Sequence, residues 1–284
     1  MTTSAVPAPP GRRARTQPGR AGALLAAAHG GPALAVTTIA ALLAVRSDLD
    51  ATDAVLVTGA VLTGQLTIGW GNDLRDLPRD RAVGRTDKPL VTGALPVRWV
   101  VSALGVAAAA CVALSAAVGW RSALVNIVLG AGAGHAYNLG LKATWWSWAP
   151  YACAFGTLPS VVTLAGPDPS WAPAWATGAG ALLGVGAHLL NTLPDLADDA
   201  RTGVRGLPHR LGATASRAGA AALLAGASVL AVLGPAGDPP WWAWAALGVA
   251  LLLALVTLVT RGRTPFRAAV AVALLDVALL VAAG

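Results

Sequence analysis

The sequence predicts an all-α, polytopic membrane protein: a bundle of nine transmembrane helices around a central cavity. Three observations predict it. The chain is 56% hydrophobic and only 12% charged, with a mean hydropathy of +0.64, whereas soluble domains carry about 25% charged residues. The apolar residues fall into runs of about 20, the length that crosses a bilayer core. The cations alternate between the two ends of those runs, as membrane topology demands. A water-soluble enzyme of 284 residues could not shield this much apolar surface, and a disordered chain has the opposite composition. The net charge of +7 follows the topology, so no nucleic-acid partner is expected.

Residues 1–21 are rich in Pro, Arg and Gly and lack apolar periodicity. They are expected to form a disordered cytoplasmic tail, with 22–284 as one membrane domain. A cleaved signal peptide is not expected, because the first apolar run is long enough to span and no convincing cleavage site follows it. The expected spans are 22–45, 53–71, 97–118, 122–140, 146–165, 174–193, 213–233, 241–260 and 266–283. With the N-terminus in the cytoplasm, 18 of the 20 Lys and Arg residues fall inside, and only Arg46 and Arg121 fall outside. That split supports the count and places the C-terminus outside. Most of the 11 tryptophans cluster near span ends, where amphipathic rings anchor in the headgroup layer. Cys111 and Cys153 lie in apolar stretches, with neither zinc-type spacing nor a disulfide framework.

Two inside loops are more polar than topology requires. All 13 acidic residues of the chain are Asp. Segments 72–98 and 191–217 align without gaps at an offset of 119 and share 10 of 27 residues. The common pattern is Asn-x3-Asp-x3-Asp-x3-Gly-x4-Pro-x3-Gly, an internal duplication whose copies follow the second and sixth spans. Steps of four advance about 40° on a helix, so Asn72, Asp76 and Asp80 form one stripe, and Asn191, Asp195 and Asp199 another. Asp73 and Asp198 sit beside the stripes. Pro78 and Pro194 interrupt the segments and are expected to bend or break them.

Carboxylates are costly at a membrane, about 2.5–3.5 kcal/mol each near the bilayer centre, and facing carboxylates repel one another. A divalent cation removes both problems. Mg²⁺ takes a few carboxylates, water and phosphate oxygens, so two such stripes would clamp a diphosphate between metal ions. Arg85 and Lys88 after the first stripe, and Arg201 and Arg205 after the second, are candidates to complete the clamp. Lys142, which follows Tyr137 and Asn138, is another. His188 and Gln65 share helix faces with the stripes; both are candidates to point into the cavity, with interhelical hydrogen bonding as the favoured alternative. Asn126, His135 and Asp276 are weaker candidates, and Asp276 has no partner that the sequence identifies.

Asn72-Asp73-x-x-Asp76-x-x-x-Asp80 followed by Arg85 and Lys88-Pro89-Leu90 resembles the first aspartate-rich motif of the UbiA prenyltransferase superfamily. Asp195-x-x-x-Asp199 with Gly203-x-Arg205-x-Leu207-Pro208 and Arg210-Leu211-Gly212 resembles its second motif. The segment Tyr137 to Lys142 is similar to the Tyr–Lys segment between them, although it lacks the Pro that many members carry there. The resemblance implies a nine-helix bundle that binds an isoprenyl diphosphate through Mg²⁺. It implies a metal shell of Asn72, Asp76, Asp80, Asp195 and Asp199, with Asp73 and Asp198 beside it. It implies that Lys142, Tyr137 and a nearby Arg hold the diphosphate, with Asn72, Asn191, Arg85, Lys88, Arg201 and Arg205 around it. Asp76, Asp195, Lys142 and Tyr137 are the expected catalytic set. The expected reaction moves the prenyl group to an acceptor, an aromatic ring, with release of pyrophosphate. The alternatives are a membrane terpene cyclase, which captures the cation internally, and a secondary transporter, whose polar sites would lie within the spans.

Overall fold

The computed structural model describes residues 19–282. The expected tail therefore lies outside the described residues except for its last three positions, and Arg20 already begins a helix. Among the described residues the ordered elements are all helical. The first expected span is two helices, α1 (Arg20–Ala27) and α2 (Gly30–Arg46), which meet at 71° where His29 adopts a left-handed conformation. α3 (Ala51–Ala82) follows, capped by the Asp50 side chain, which accepts from the Asp53 N–H at 2.8 Å. After the short α4 (Pro89–Thr92) come α5 (Val97–Ala117) and α6 (Trp120–Leu124), then a π-helical stretch, Val125–Ala131, and α7 (Gly132–Leu139). The chain continues through α8 (Ala149–Thr163), α9 (Ala174–Thr192), α10 (Leu196–Arg201), α11 (Leu207–Leu233), α12 (Trp241–Val259) and α13 (Thr264–Ala282). Pro96, Pro173 and Pro240 stand in extended conformation immediately before α5, α9 and α12. There their missing N–H costs nothing and the fixed φ sets the entry of the chain.

Five helices, α3, α5, α11, α12 and α13, are long and apolar enough to cross a membrane, and the bent pair α1–α2 makes a sixth. The expected count of nine is not reached on these criteria. The shortfall falls on spans four to six. The fourth is divided by the π-helical stretch, α8 has 15 residues, and α9 is diluted by Gly, Thr, His188 and Asn191. Large apolar side chains stand exposed on the outside, among them Val55, Val106, Leu252 and Val259. A soluble surface does not tolerate such a coat. The chain is an integral membrane protein.

The helices close into a ring, since α13 packs on α2 as well as on α12. α8 and α9 form one of the closest pairs. A Cβ on Gly180 would lie 2.4 Å from the Phe155 carbonyl oxygen, and one on Gly184 2.5 Å from that of Tyr151. This small-xxx-small face lets two backbones approach where lipid supplies no hydrophobic drive between helices.

α3 governs the position of the first acidic segment. Its 32 residues extend ~48 Å at 1.5 Å each, beyond the ~30 Å hydrocarbon core. Its last turns carry Asn72, Asp76 and Asp80. The helix runs unbroken through Pro78. At Pro194 the expected break occurs: α9 stops at Thr192, and a 3₁₀ turn, Leu193–Asp195, leads into α10.

The duplication is visible in the backbone. The N–H groups of Val83, Gly84 and Arg85 donate to the carbonyls of Arg79, Arg81 and Asp80. At the same offset, those of Thr202, Gly203 and Val204 donate to Asp198, Ala200 and Asp199. Both acidic helices thus end in the same motif, closed by a glycine in the left-handed region, Gly84 at φ 69° and Gly203 at φ 84°.

Candidate active site

The two acidic segments meet. On α3, Asp73, Asp76 and Asp80 are 2%, 7% and 6% exposed. Asp76 Oδ2 accepts from Arg79 at 2.9 Å, and its Oδ1 accepts from Lys142 Nζ at 2.5 Å. Arg79 also stands 3.6 Å from Asp199 Oδ1 on α10. Arg85 donates to Asp195 at 3.2 Å and makes two 2.8 Å bonds to Asp87. Acids from both copies of the duplication, two cations from the first acidic segment and Lys142 from the loop after α7 therefore share one cluster at the end of the bundle.

The charges set each other's protonation. The hydrogen bonds from Arg85 hold the Asp87 carboxyl down to about 2, and Asp87 in turn pushes the guanidinium further up. Burial pushes Asp199 up to about 6 despite the nearby Arg79. Burial also lowers the Lys142 ammonium, against the pull of Asp76.

The remaining expected residues divide. Asp73 belongs to a separate group, in which its Oδ1 lies 2.5 Å from Lys88 Nζ and 2.9 Å from His29 Nε2, while its buried Oδ2 has no partner among the described residues. Asp198 pairs with Arg201, which is 70% exposed, on the outer side of α10. Arg205 lines an open surface pocket with Leu196, Ala200, His209 and Arg210. These three stand apart from the ion pairs of the cluster. Asn72 is half-buried one turn before Asp76, and Asn191 is exposed at the end of α9. Tyr137 packs edge-on against Tyr151 and His188, with centroids 5.3 and 5.7 Å away.

His188 takes the hydrogen-bonding alternative. It is 1% exposed and bonds to Ser147. Gln65 and Asn126 line an enclosed cavity together with Phe155 and Leu158. His135 bonds to Thr67 at 3.1 Å. Asp276 finds its partner in Ser228 on α11, at 3.0 Å. Sequence reasoning missed Arg79, counted above only as a cytoplasmic cation, although its position three residues after Asp76 marks it as a same-face neighbour. It also missed His29, which no local pattern connects to Asp73.

The donors suit a hard cation. Asp80 is buried with no ion pair among the described residues, and the acids supply hard oxygen ligands, with the His209 imidazole 3.7 Å from Asp199. Among the described residues no three His, Cys, Asp or Glu side chains converge into a complete cage. Mg²⁺ keeps waters and shares its shell with phosphate oxygens, so it takes only a few protein carboxylates.

The model of the UbiA prenyltransferase family matches residues 33–280. The chain belongs to this family. Solved structures of the family share its fold. The apo UbiA homologue from Aeropyrum pernix K1 is 20% identical, with 89% of this chain and 98% of that one covered and a TM-score of 0.73. The UbiA homologue from Archaeoglobus fulgidus bound to GPP and Mg²⁺ is 15% identical, with 92% and 98% covered and a TM-score of 0.69. A digeranylgeranylglyceryl phosphate synthase is 15% identical, with 93% and 98% covered and a TM-score of 0.64. No curated protein sequence is similar enough to this chain to match it.

Proposed function

We propose that this UbiA-family chain is a Mg²⁺-dependent intramembrane prenyltransferase, which moves an isoprenyl group from its diphosphate to an aromatic acceptor and releases pyrophosphate. The observation that carries the reading is the convergence of the two duplicated acidic segments, with Arg79 bridging Asp76 and Asp199 and Arg85 reaching Asp195. The relative from Archaeoglobus fulgidus bound to GPP and Mg²⁺ supports it.

In this reading Asn72, Asp76, Asp80, Asp195 and Asp199 hold the metal, with Asn191 beside the diphosphate. When bound, Mg²⁺ neutralises charge that develops on the leaving diphosphate. Lys142 and Arg85 exchange part of their carboxylate contacts for diphosphate oxygens and are in place before the allylic C–O bond breaks. Arg79 keeps the two acidic segments at working distance. Tyr137 lies beneath the clamp, where the allylic carbon enters the bundle. The apolar helix walls exclude water from the cation until the acceptor ring attacks and loses a proton. Lys88 orients Asp73 at the edge of the clamp. Asp198, Arg201 and Arg205 stay on the cytoplasmic surface as anchors. The nine helical segments each cross the bilayer, with the N-terminus and both acidic segments in the cytoplasm and the C-terminus outside, in accord with the 18 to 2 split of cations.

The test is incubation of the purified protein and Mg²⁺ with prenyl diphosphates of ten to twenty carbons, with and without phenolic acceptors, followed by mass spectrometry. A prenylated acceptor and stoichiometric pyrophosphate are expected. Terpene hydrocarbon or alcohol formed without acceptor would replace transfer by cyclisation, and absence of pyrophosphate in every arm would end the enzymatic reading.

A further inference from the structure

The loop that carries Lys142 consists of two 3₁₀ turns, Leu141–Ala143 and Trp145–Trp148. Such turns have poor internal hydrogen-bond geometry, so a side chain on them holds its place only if the loop is tied elsewhere. One residue ties it. Ser147 is 0% exposed. Its Oγ accepts from the backbone N–H of Leu207 at 2.8 Å and lies 3.0 Å from His188 Nε2. With Leu207 as donor, only a bond from the hydroxyl to Nε2 uses the serine proton. The imidazole is then neutral with its proton on Nδ1, which has no partner among the described residues.

The surroundings reinforce this clamp. A Cβ on Gly206 would lie 2.5 Å from the Lys142 carbonyl oxygen and 2.8 Å from Ser147 Oγ, so the chain entering α11 presses on the loop at both points. His188 sits three residues before Asn191, and Leu207 lies eight residues after Asp199. The contacts therefore flank the acidic positions Asn191, Asp195 and Asp199. From the same loop Lys142 reaches Asp76 on the first acidic segment at 2.5 Å.

We propose that Ser147, clamped between His188 and Leu207, is a positioning residue that sets Lys142 against Asp76, and thereby against the diphosphate; the last step rests on the function proposed above. Ser147 registers the lysine of one loop to the acidic segment beside it, so that the two halves of the clamp keep their spacing.

Calorimetry of geranyl diphosphate binding in Mg²⁺, on the full chain in nanodiscs, tests this. Ser147→Ala strands the buried His188 and the half-buried Leu207 N–H and is expected to weaken binding about tenfold. His188→Gln places an amide oxygen near the position of Nε2 and is expected to stay within about threefold of wild type. The variant carrying both Lys142→Ala and Ser147→Ala is expected to bind no worse than Lys142→Ala alone, because residues acting through one contact are not additive. Multiplied losses, or a Ser147→Ala protein that binds like wild type while Lys142→Ala does not, would overturn the proposal. If Lys142→Ala itself binds like wild type, the diphosphate role of Lys142 falls, and the positioning role is decided by a structure of Ser147→Ala. An ammonium withdrawn from Asp76 upholds it, and an unmoved one overturns it.

Discussion

Arg79 donates to Asp76 on its own helix at 2.9 Å and stands 3.6 Å from Asp199 on the other acidic segment. One guanidinium therefore joins two carboxylates that lie 123 residues apart in the chain. Removing it leaves Asp199 without its nearest cation and Asp76 with Lys142 alone. Arg79→Ala is expected to lose about 1–3 kcal/mol of stability and to weaken diphosphate binding. Asp76→Asn is expected to abolish turnover while the protein remains folded. Thermal melts in detergent beside a pyrophosphate-release assay separate the two effects, and an Asp76→Asn protein with wild-type rate would remove Asp76 from the site.

Asp87 and Arg85 make a two-bond pair at the surface, and the Asp87 carboxyl is held at about 2. A carboxyl depressed in the folded state adds stability above its ordinary pKa and loses it as pH falls toward the depressed value. The pair is half exposed, so its contribution is about 0.2–1 kcal/mol. The difference in stability between the natural chain and Asp87→Asn is expected to hold steady above about pH 4 and to vanish as pH falls to about 2. A difference that grows on acidification would contradict the pairing.

Gly84 and Gly203 close the two acidic helices with the same hydrogen bonds and the same left-handed turn. Ala at either position is expected to cost about 1–2 kcal/mol, the strain of a Cβ in that conformation. Because the motifs match, the two losses should be similar in size. Denaturation of the single and double variants checks both the size and the additivity.

Ser228 supplies the partner of Asp276, a carboxyl buried between α11 and α13 with its other oxygen unpaired among the described residues. Ser228→Ala is expected to cost about 1–3 kcal/mol by stranding that group. Replacing both residues with apolar ones of similar volume should recover most of the loss. Prenyl transfer should be unaffected, since the pair lies outside the acidic cluster; a large change in kcat would assign Asp276 to the chemistry.

Much of this was legible in one dimension, for a physical reason. Bilayer thickness sets the length of an apolar run, helical pitch sets the four-residue spacing of Asn72, Asp76 and Asp80, and a left-handed turn selects glycine at 84 and 203. Each of these constraints is local, and a local constraint leaves its mark in consecutive residues. The sequence by itself therefore determined the helical membrane class, the duplicated acidic segments and the family. Contacts between segments leave no such mark. Only the tertiary structure decided that Arg79 bridges the two copies, that His29 joins Asp73, that Asp198 and Arg201 turn outward, and that Ser147 is the partner of His188. Those outcomes depend on how α3, α9 and the Lys142 loop pack together, a sum over many distant side chains that no short stretch of the chain encodes.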